Sequence, residues 1–369
     1  MAGCDAMGTV IEELVVPDGD LDAAFPAYAE HFEVRNANEA AVLGAAAPFV
    51  DPREMLPYFH DQGRLRKRLY VARLDGEVVG QALFERSLDP SDPVGWIYGG
   101  VLVRARNQGV GTALFDRVEA DAIASGSTTL QSFVLHGDAT GPRVTARAGV
   151  GDLPQEDPGV RFVRGRGWQL GQVVQWNVLD LPFDPEWMEA LWQAALRAAG
   201  LDYRIRTWVG LSPDERLAGL AELAAAMERD VPRGDLDGMI SEWTPERVRR
   251  DEEREAAGGR SALTAVAEHV PTGMLVGMTR LSLPSDLAHP VKQKVTIVRR
   301  EHRGRRLGIL LKVANLRLLR DEVPEASLVV TTNAAENRQM LAINIDLGFR
   351  TVGYTGAWKK VITPARTRA

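Results

Sequence analysis

Two short stretches carry residue types and spacings suited to holding an anion. Residues 106–111 read RNQGVG, which sets Arg106, Gly109 and Gly111 in the pattern R-x-x-G-x-G. Residues 299–308 read RREHRGRRLG, with five arginines and His302 inside eight positions. Each follows a β-type apolar run and precedes a helical apolar run. A helix start exposes unpaired N–H groups and carries a partial positive charge. Glycine lets a backbone approach an anion closely, and arginine adds a charged donor fork. Such a junction suits the binding of a pyrophosphate.

The two junctions are related by a repeat. Adding 197 places Gly76, Val79 and Gly80 on Gly273, Val276 and Gly277. The same offset carries Asp89, Pro93, Val94 and Val101 onto Asp286, Pro290, Val291 and Val298. It then carries Arg106, Gly111 and Leu114 onto Arg303, Gly308 and Leu311. Further on, Gly167-Trp168 corresponds to Gly348-Phe349 at an offset of 181. The first repeat therefore holds an insertion, and the Gly/Pro/Asp-rich stretch 136–159 reads as the loop that supplies it.

Each repeat has one coarse plan. A strand opens it (9–16; 201–209), helical segments follow (20–60; 213–257), and a hairpin comes next (68–85; 261–283). The Asp75-Gly76 pair between β-rich runs marks the first hairpin. A strand (94–103; 291–298), a helix after the glycine turn (106–124; 304–321) and another strand (128–135; 326–332) complete the core. A short helix and a last strand close it. The expected fold class is α/β with a mixed sheet, as two tandem domains over 1–180 and 201–369. A helical linker at 181–200 opens on Asp184-Pro185 and ends at Gly200.

The bulk numbers limit the partners. A chain of 369 residues suggests two domains. A net charge of -6 argues against a general nucleic-acid or anionic-membrane binder. No run approaches 18 apolar residues, and the N-terminus lacks the pattern of a signal peptide. The single cysteine, Cys4, fits a reducing cytoplasm. The six histidines and one cysteine show no metal-ligand spacing, so no metal is expected.

The strand–R-x-x-G-x-G–helix element after a hairpin resembles the coenzyme-A-binding motif of the GNAT acetyltransferases. The second repeat adds VVTTNAAENRQMLAINIDLGF, similar to the later GNAT segment with an Asn at a helix start and a final LGF. The whole resembles tandem two-domain GNATs of the actinobacterial, mycothiol-synthase-like type. The resemblance implies two GNAT-like acyl-CoA N-acyltransferase domains and acetyl-CoA as cofactor. In the second repeat it implies a coenzyme A site at Val298, Arg300, Arg303, Gly304, Arg305, Arg306, Leu307, Gly308, Asn333 and Asn337. In the first it implies Val101, Val103, Arg106, Gly109, Val110, Gly111 and Thr112. The thioester would lie on the strand ending at Val101 or Val298, and Asn337 would contact the pantetheine arm.

This sequence also departs from the family pattern. Arg306 stands where the first motif glycine belongs. Asn344 and Val163 replace the tyrosine that serves many relatives as general acid. Lys292 and Gly95 replace their strand glutamate. The expected catalytic set is Asn337, Asn344 and His289. Glu268 and Asp286 in the second repeat, and Glu85, Asp89 and Asp92 in the first, are further candidate bases. Residues 239–243, MISEW, read as core rather than pocket, and 247–260 read as a solvated helix face.

The resulting expectation is a cytoplasmic N-acetyltransferase, monomer or homodimer, acting on a primary amine of a small molecule by direct attack. The second repeat, with Asn333, Asn337 and the denser positive charge, is expected to be the working one. Transfer of another acyl or aminoacyl group in secondary metabolism or antibiotic resistance is an alternative, as is a catalytically degenerate CoA-binding protein.

Overall fold

The structure is a computed structural model that describes residues 8–237 and 242–362. The first repeat contains β1 (Thr9–Leu14), α1 (Phe25–Leu43), α2 (Pro52–His60), β2 (Leu65–Leu74), β3 (Glu77–Ser87), β4 (Val94–Val101), α3 (Val110–Ala124) and β5 (Thr129–His136). It continues through β6 (Arg143–Thr145), β7 (Asp152–Pro154), α4 (Pro158–Gly165) and β8 (Gln169–Asp180). After α5 (Pro185–Ala199), the second repeat holds β9 (Tyr203–Val209), α6 (Leu217–Asp230), α7 (Pro245–Ala257), β10 (Ser261–His269) and β11 (Met274–Leu283). It closes with β12 (Val291–Val298), α8 (Leu307–Glu322), β13 (Leu328–Ala334), α9 (Arg338–Asp346) and β14 (Arg350–Val361).

Local chemistry accounts for many of these boundaries. Asp75 and Gly76 both adopt positive φ, 51° and 87°, as a two-residue turn between twisted strands requires. Asp51, Asp157, Asp184 and Thr244 each cap a helix whose first residue is proline. The insertion at 136–159 holds the small antiparallel pair β6–β7 where the sequence suggested only loop.

The twelve main strands form one sheet in the order β1-β2-β3-β4-β5-β14-β8-β13-β12-β11-β10-β9. The last strand of each repeat is therefore exchanged. β14, from the second repeat, pairs antiparallel with β5 over Tyr354–Val361. β8, from the first, pairs antiparallel with β13 over Val174–Asp180. β8 and β14 also pair with each other at the centre. Division at 180 and 201 thus separates the repeats in sequence but does not divide the sheet.

Burial follows the exchange. Trp358 on β14 is fully buried in the core under α3, with Leu114, Val118 and Leu130 of the first repeat. Leu179 on β8 lies in the second repeat's core with Leu310 and Val329. The linker helix α5 packs Met188, Ala195 and Ala199 into that same core. Burying one tryptophan removes about 150–250 Å² from water, an upper-bound gain of roughly 4–6 kcal/mol at ~25 cal/mol per Å².

The stretch 247–260 differs from its expectation as a solvated face. Glu252 is 3% exposed. It accepts from Ser212 N (3.0 Å), Ser212 Oγ (2.6 Å) and Arg280 (3.0 Å), because α7 lies across the sheet beside β11. Alternating charge along this helix serves an internal network. Of the MISEW stretch, 239–241 lie outside the described residues. Trp243 packs beside the α6–α7 core, with the Arg247 guanidinium 3.9 Å from its ring centroid.

Trp358→Ala should destabilise the protein by about 3–5 kcal/mol. Hydrogen exchange should accelerate first at Leu130 and Val173, in the first repeat, although the changed residue belongs to the second. Exchange confined to the second repeat would contradict the exchanged-strand arrangement.

Candidate active site

Among the described residues the parallel strand pairs of the large sheet are β4–β5 and β12–β13, and both are short. β4 and β5 are in register at Val94, Gly95 and Trp96, and β12 and β13 only at Val291 and Lys292. Beyond these points no pairing continues, so each pair opens toward the helix that follows β4 or β12. Both junctions are fixed by the same bonds. Arg106 Nε donates to Val101 O (3.1 Å), and Arg303 Nε donates to Val298 O (2.9 Å). Leu102 N donates to Val79 O and Arg299 N to Val276 O, each at 2.8 Å.

The loop backbone is the same in both repeats. Asn107 (φ 60°) matches Gly304 (φ 81°), and Gly109 (φ 83°) matches Arg306 (φ 54°). Each loop thus needs two left-handed residues and supplies one as glycine, at alternate positions. A non-glycine residue there costs on the order of 1 kcal/mol. Arg306 accordingly keeps the turn that its twin makes with glycine. α3 and α8 begin with no side-chain cap, which leaves their first N–H groups available to an anion.

In the second repeat the opening is a groove of about 370 Å³. Thr296, Val298, Arg303, Arg306, Gly308, Asn337 and Ile343 are among its lining residues, with Gly304 and Leu307, and so is Asp230 at the end of α6. Asp230 pairs with Arg300 (2.6 Å) and with Arg303. Burial opposes ionisation, but the two guanidiniums hold the Asp230 carboxyl below its ordinary range. Arg299 pairs with Glu222, and Arg305 lies 5.7 Å from the Tyr203 ring centroid. Most of the positive charge that marks this stretch is therefore met by the protein itself. Among the described residues Arg306 has no acidic partner.

The expected catalytic residues of the second repeat separate. Asn337 lines the groove, but its Oδ1 accepts from Met340 N and caps α9. Asn344 does not line it. It is 1% exposed, accepts from Lys312 Nζ (2.6 Å) and donates to Asn333 (2.7 Å). Asn344 thus ties α9 to α8 through Lys312 and to β13 through Asn333. His289 is removed from the groove and stacks on Phe49 at 4.1 Å between centroids. Glu268 is paired with Arg216, and Asp286 lies exposed beside His289. Burial first, then Lys294 and Arg35, lowers the Lys292 ammonium to about 8. The sheet face under α7 is filled by Arg280, Lys294, Glu252 and Glu255 in mutual ion pairs.

The corresponding face of the first repeat is different. Trp96 and Tyr98 alternate along β4, with Phe133 beside them on β5. Their ring centroids are 5.4–6.4 Å apart and their planes lie within 23°. Glu85, opposite Trp96 on β3, accepts a hydrogen bond from the Tyr58 hydroxyl of α2. Burial raises the Glu85 carboxyl above its ordinary value, and the Tyr58 bond and Lys67 only partly oppose this. Burial and Glu85 raise the Tyr98 phenol, so it stays protonated. Beyond Tyr98, Gly100 faces Asn38 of α1; a Cβ on Gly100 would lie 3.0 Å from Asn38 Nδ2. Neither Asn38 Nδ2 nor Oδ1 has a hydrogen-bond partner among the described residues, although both are buried. Asp89 and Asp92 only cap their own turn. Val103 is exposed in the helical turn after β4; Val110, Gly111 and Thr112 form the first turn of α3.

Part of this site comes from the second repeat. Asp237 O accepts from Gln131 Nε2 on β5 (2.8 Å), and Asp237 pairs with Lys359 on β14 (2.8 Å). Pro232 O accepts from Gln172 on β8 (2.9 Å). The segment after α6 therefore crosses the first repeat's sheet beside Trp96.

Residues 37–140 match the family described as Acetyltransferase (GNAT). The first repeat contains a GNAT acetyltransferase domain. A tandem GNAT protein from the clavulanic acid biosynthesis pathway is 25% identical, with a TM-score of 0.70, over 96% of this chain and 100% of its own. A GCN5-related N-acetyltransferase from Sphaerobacter thermophilus is 17% identical, with a TM-score of 0.61, over 98% and 97%. No curated protein matches the chain. The chain has the tandem GNAT fold, and the comparisons indicate an acyltransferase. Among the described residues no helix is long and apolar enough to cross a membrane.

Glu85 is one of several candidate bases in the sequence, whereas Asn38, Tyr58, Phe133 and Asp230 carry no sequence signal of their own. The alternation Trp96-x-Tyr98 beside Gly99-Gly100 was the one signal for this face. The others depend on helices and strands distant in sequence.

Lys312 offers a check on the packing around Asn344. Burial pulls its ammonium down to about 7. Between pH 7 and 10 the unfolded chain then binds more protons than the native one, so stability should rise with pH across that window. In urea unfolding at pH 7 and pH 10, Lys312→Met should reduce that rise by on the order of 2 kcal/mol. An unchanged rise would show Lys312 to be solvated.

Proposed function

We propose that the protein is an N-acyltransferase that moves an acetyl group from acetyl-CoA to a primary amine of a small molecule, with the chemistry in the first repeat. The observation that carries this is the raised, buried Glu85 carboxyl on the open face beside the β4–β5 opening. The equivalent face of the second repeat is closed by ion pairs. The geometry of the loop 106–111 suits the pyrophosphate: two left-handed residues, an uncapped helix start and a guanidinium without an acidic partner among the described residues.

In this reading the main chain at Gly99–Val101 aligns the thioester and polarises its carbonyl. The amine nitrogen attacks that carbonyl carbon directly. The C–S bond breaks, the thiolate leaves and takes up a proton, and the nitrogen loses one. Trp96 and Gly100 are four strand residues apart, ~13 Å at ~3.3 Å per residue. Glu85, opposite Trp96, therefore accepts the proton through water rather than by contact. Its raised carboxyl sits closer to neutral pH than an ordinary one, which suits a general base. The protonated Tyr98 lies between these points.

In the second repeat Asp230 competes with phosphate for Arg300 and Arg303, so the groove there takes acyl-CoA weakly. The single cysteine of the sequence accords with work in a reducing cytoplasm.

Thiol release from acetyl-CoA with a panel of amines tests the reading. Arg106→Ala should raise KM for acetyl-CoA about tenfold, the loss of one charge-assisted contact, while Arg303→Ala leaves it unchanged. The opposite pattern would move the chemistry to the second repeat. Glu85→Gln should lower kcat by roughly 10²–10⁴ and remove the acid limb of the pH profile. Ordinary turnover by this variant would dismiss Glu85 as base.

A further inference from the structure

The first repeat's open face also constrains what its acceptor looks like. β5 lies inside the sheet, between β4 and β14. A phenylalanine on such a strand is normally covered, yet Phe133 is 37% exposed. It is also flanked by two further rings, Trp96 at 5.4 Å and Tyr98 at 6.4 Å. Three nearly parallel rings on one sheet face, with Phe133 exposed among them, make an apolar platform, and apolar surfaces with few polar groups are what ligand sites are lined by.

The polar groups around the platform are mostly engaged. Glu85 is bonded to Tyr58, and Gln131 spends its N–H on Asp237 O. Two groups are exceptions among the described residues: Gln131 Oε1 is unmet beside Trp96, and Asn38 has both carboxamide atoms unmet beside Gly100. A buried amide left unpaired costs on the order of 1–3 kcal/mol per group, so it points to a polar partner at that end. Tyr98 and Gly100 are two strand residues apart, about 7 Å. A ring resting on Tyr98 and Phe133 would thus place a nitrogen near Asn38 if a short alkyl arm joins the two.

We propose that the acceptor is an arylalkylamine-like molecule: a flat apolar body held on Trp96, Tyr98 and Phe133, carrying a primary amine on a short arm that reaches Asn38 and Gly100. Asn38 is a positioning residue whose Oδ1 accepts an N–H of the amine and aims it at the acyl carbon. This rests on the reading that acyl transfer occurs in the first repeat. Polyhydroxylated acceptors fit poorly, because a ring platform offers few partners for hydroxyl groups.

The test uses the full-length protein with 2-phenylethylamine, n-butylamine and glucosamine as probes. Calorimetric titration in the presence of saturating coenzyme A should show 2-phenylethylamine binding at least tenfold tighter than either other amine. Phe133→Ala should abolish that preference, and Phe133→Leu should retain part of it, with circular dichroism melts confirming that both variants are folded. Asn38→Ala should weaken 2-phenylethylamine and n-butylamine by a similar factor, because it acts on the amine and not on the ring. In turnover, Phe133→Ala should raise KM for the arylalkylamine and leave KM for acetyl-CoA unchanged. Equal binding of the three amines, or a preference for glucosamine, would overturn the proposal even if acetyl transfer occurs. A binding preference that Phe133→Ala does not alter would overturn it as well. Binding with the expected preference but no thiol release with any amine would instead sustain the acceptor site and refute the transferase reading.

Discussion

The structure depends on the antiparallel contact between β8 and β14. These are the last strands of the two repeats, and each lies between its partner and the fifth strand of the opposite repeat. Everything near the chemistry hangs from this seam. β14 borders β5, which carries Phe133 and forms one wall of the β4–β5 opening. β8 borders β13, which does the same for the second opening. One chain thereby builds the equivalent of a two-fold dimer, with hydrogen bonds rather than a side-chain interface at its centre. A sheet edge that would otherwise present unpaired N–H and C=O groups is covered by the other half.

Within that frame the repeats have kept one device and divided on another. The strand-to-helix loop is held in both by the same arginine-to-carbonyl bond and the same pair of left-handed residues. Its geometry is a backbone property, so it tolerates exchange of glycine for arginine or asparagine at a modest local cost. The faces across which an acceptor would approach have diverged in substance. One became a set of rings beside a buried carboxyl. The other became a network of ion pairs in which Glu252 alone takes four hydrogen bonds from three partners, Ser212, Arg249 and Arg280.

Much of the fold was legible in the sequence. The offset of 197, the Asp-Gly turn and the Asp-Pro caps are local signals, and local chemistry sets those elements. The exchange of β8 and β14 was not legible, because both are β-rich strands and nothing in their composition states which neighbour they take. The strand-to-helix loop was legible, because Arg106, Gly109 and Gly111 lie close together in sequence. In the second repeat the charge of the loop is counted from the sequence without the partners that packing supplies. Asp230 is some seventy residues from Arg300 and Arg303, and only the packing of α6 brings them together. Asn344 entered the expected catalytic set through the family resemblance, whereas in the structure it is buried against Lys312.

The position of β14 also sets an order of events during synthesis. It ends at Val361, whereas β5 is complete at His136. At ~5–20 residues per second, the ribosome needs roughly ten to fifty seconds to make the intervening chain. Through that interval the first repeat has its strand-to-helix loop and its three rings but not the strand that seals β5, nor Trp358 in its core. The half of the molecule made first is thus finished last. An enzyme site on it would become sound only when the nascent chain is nearly complete.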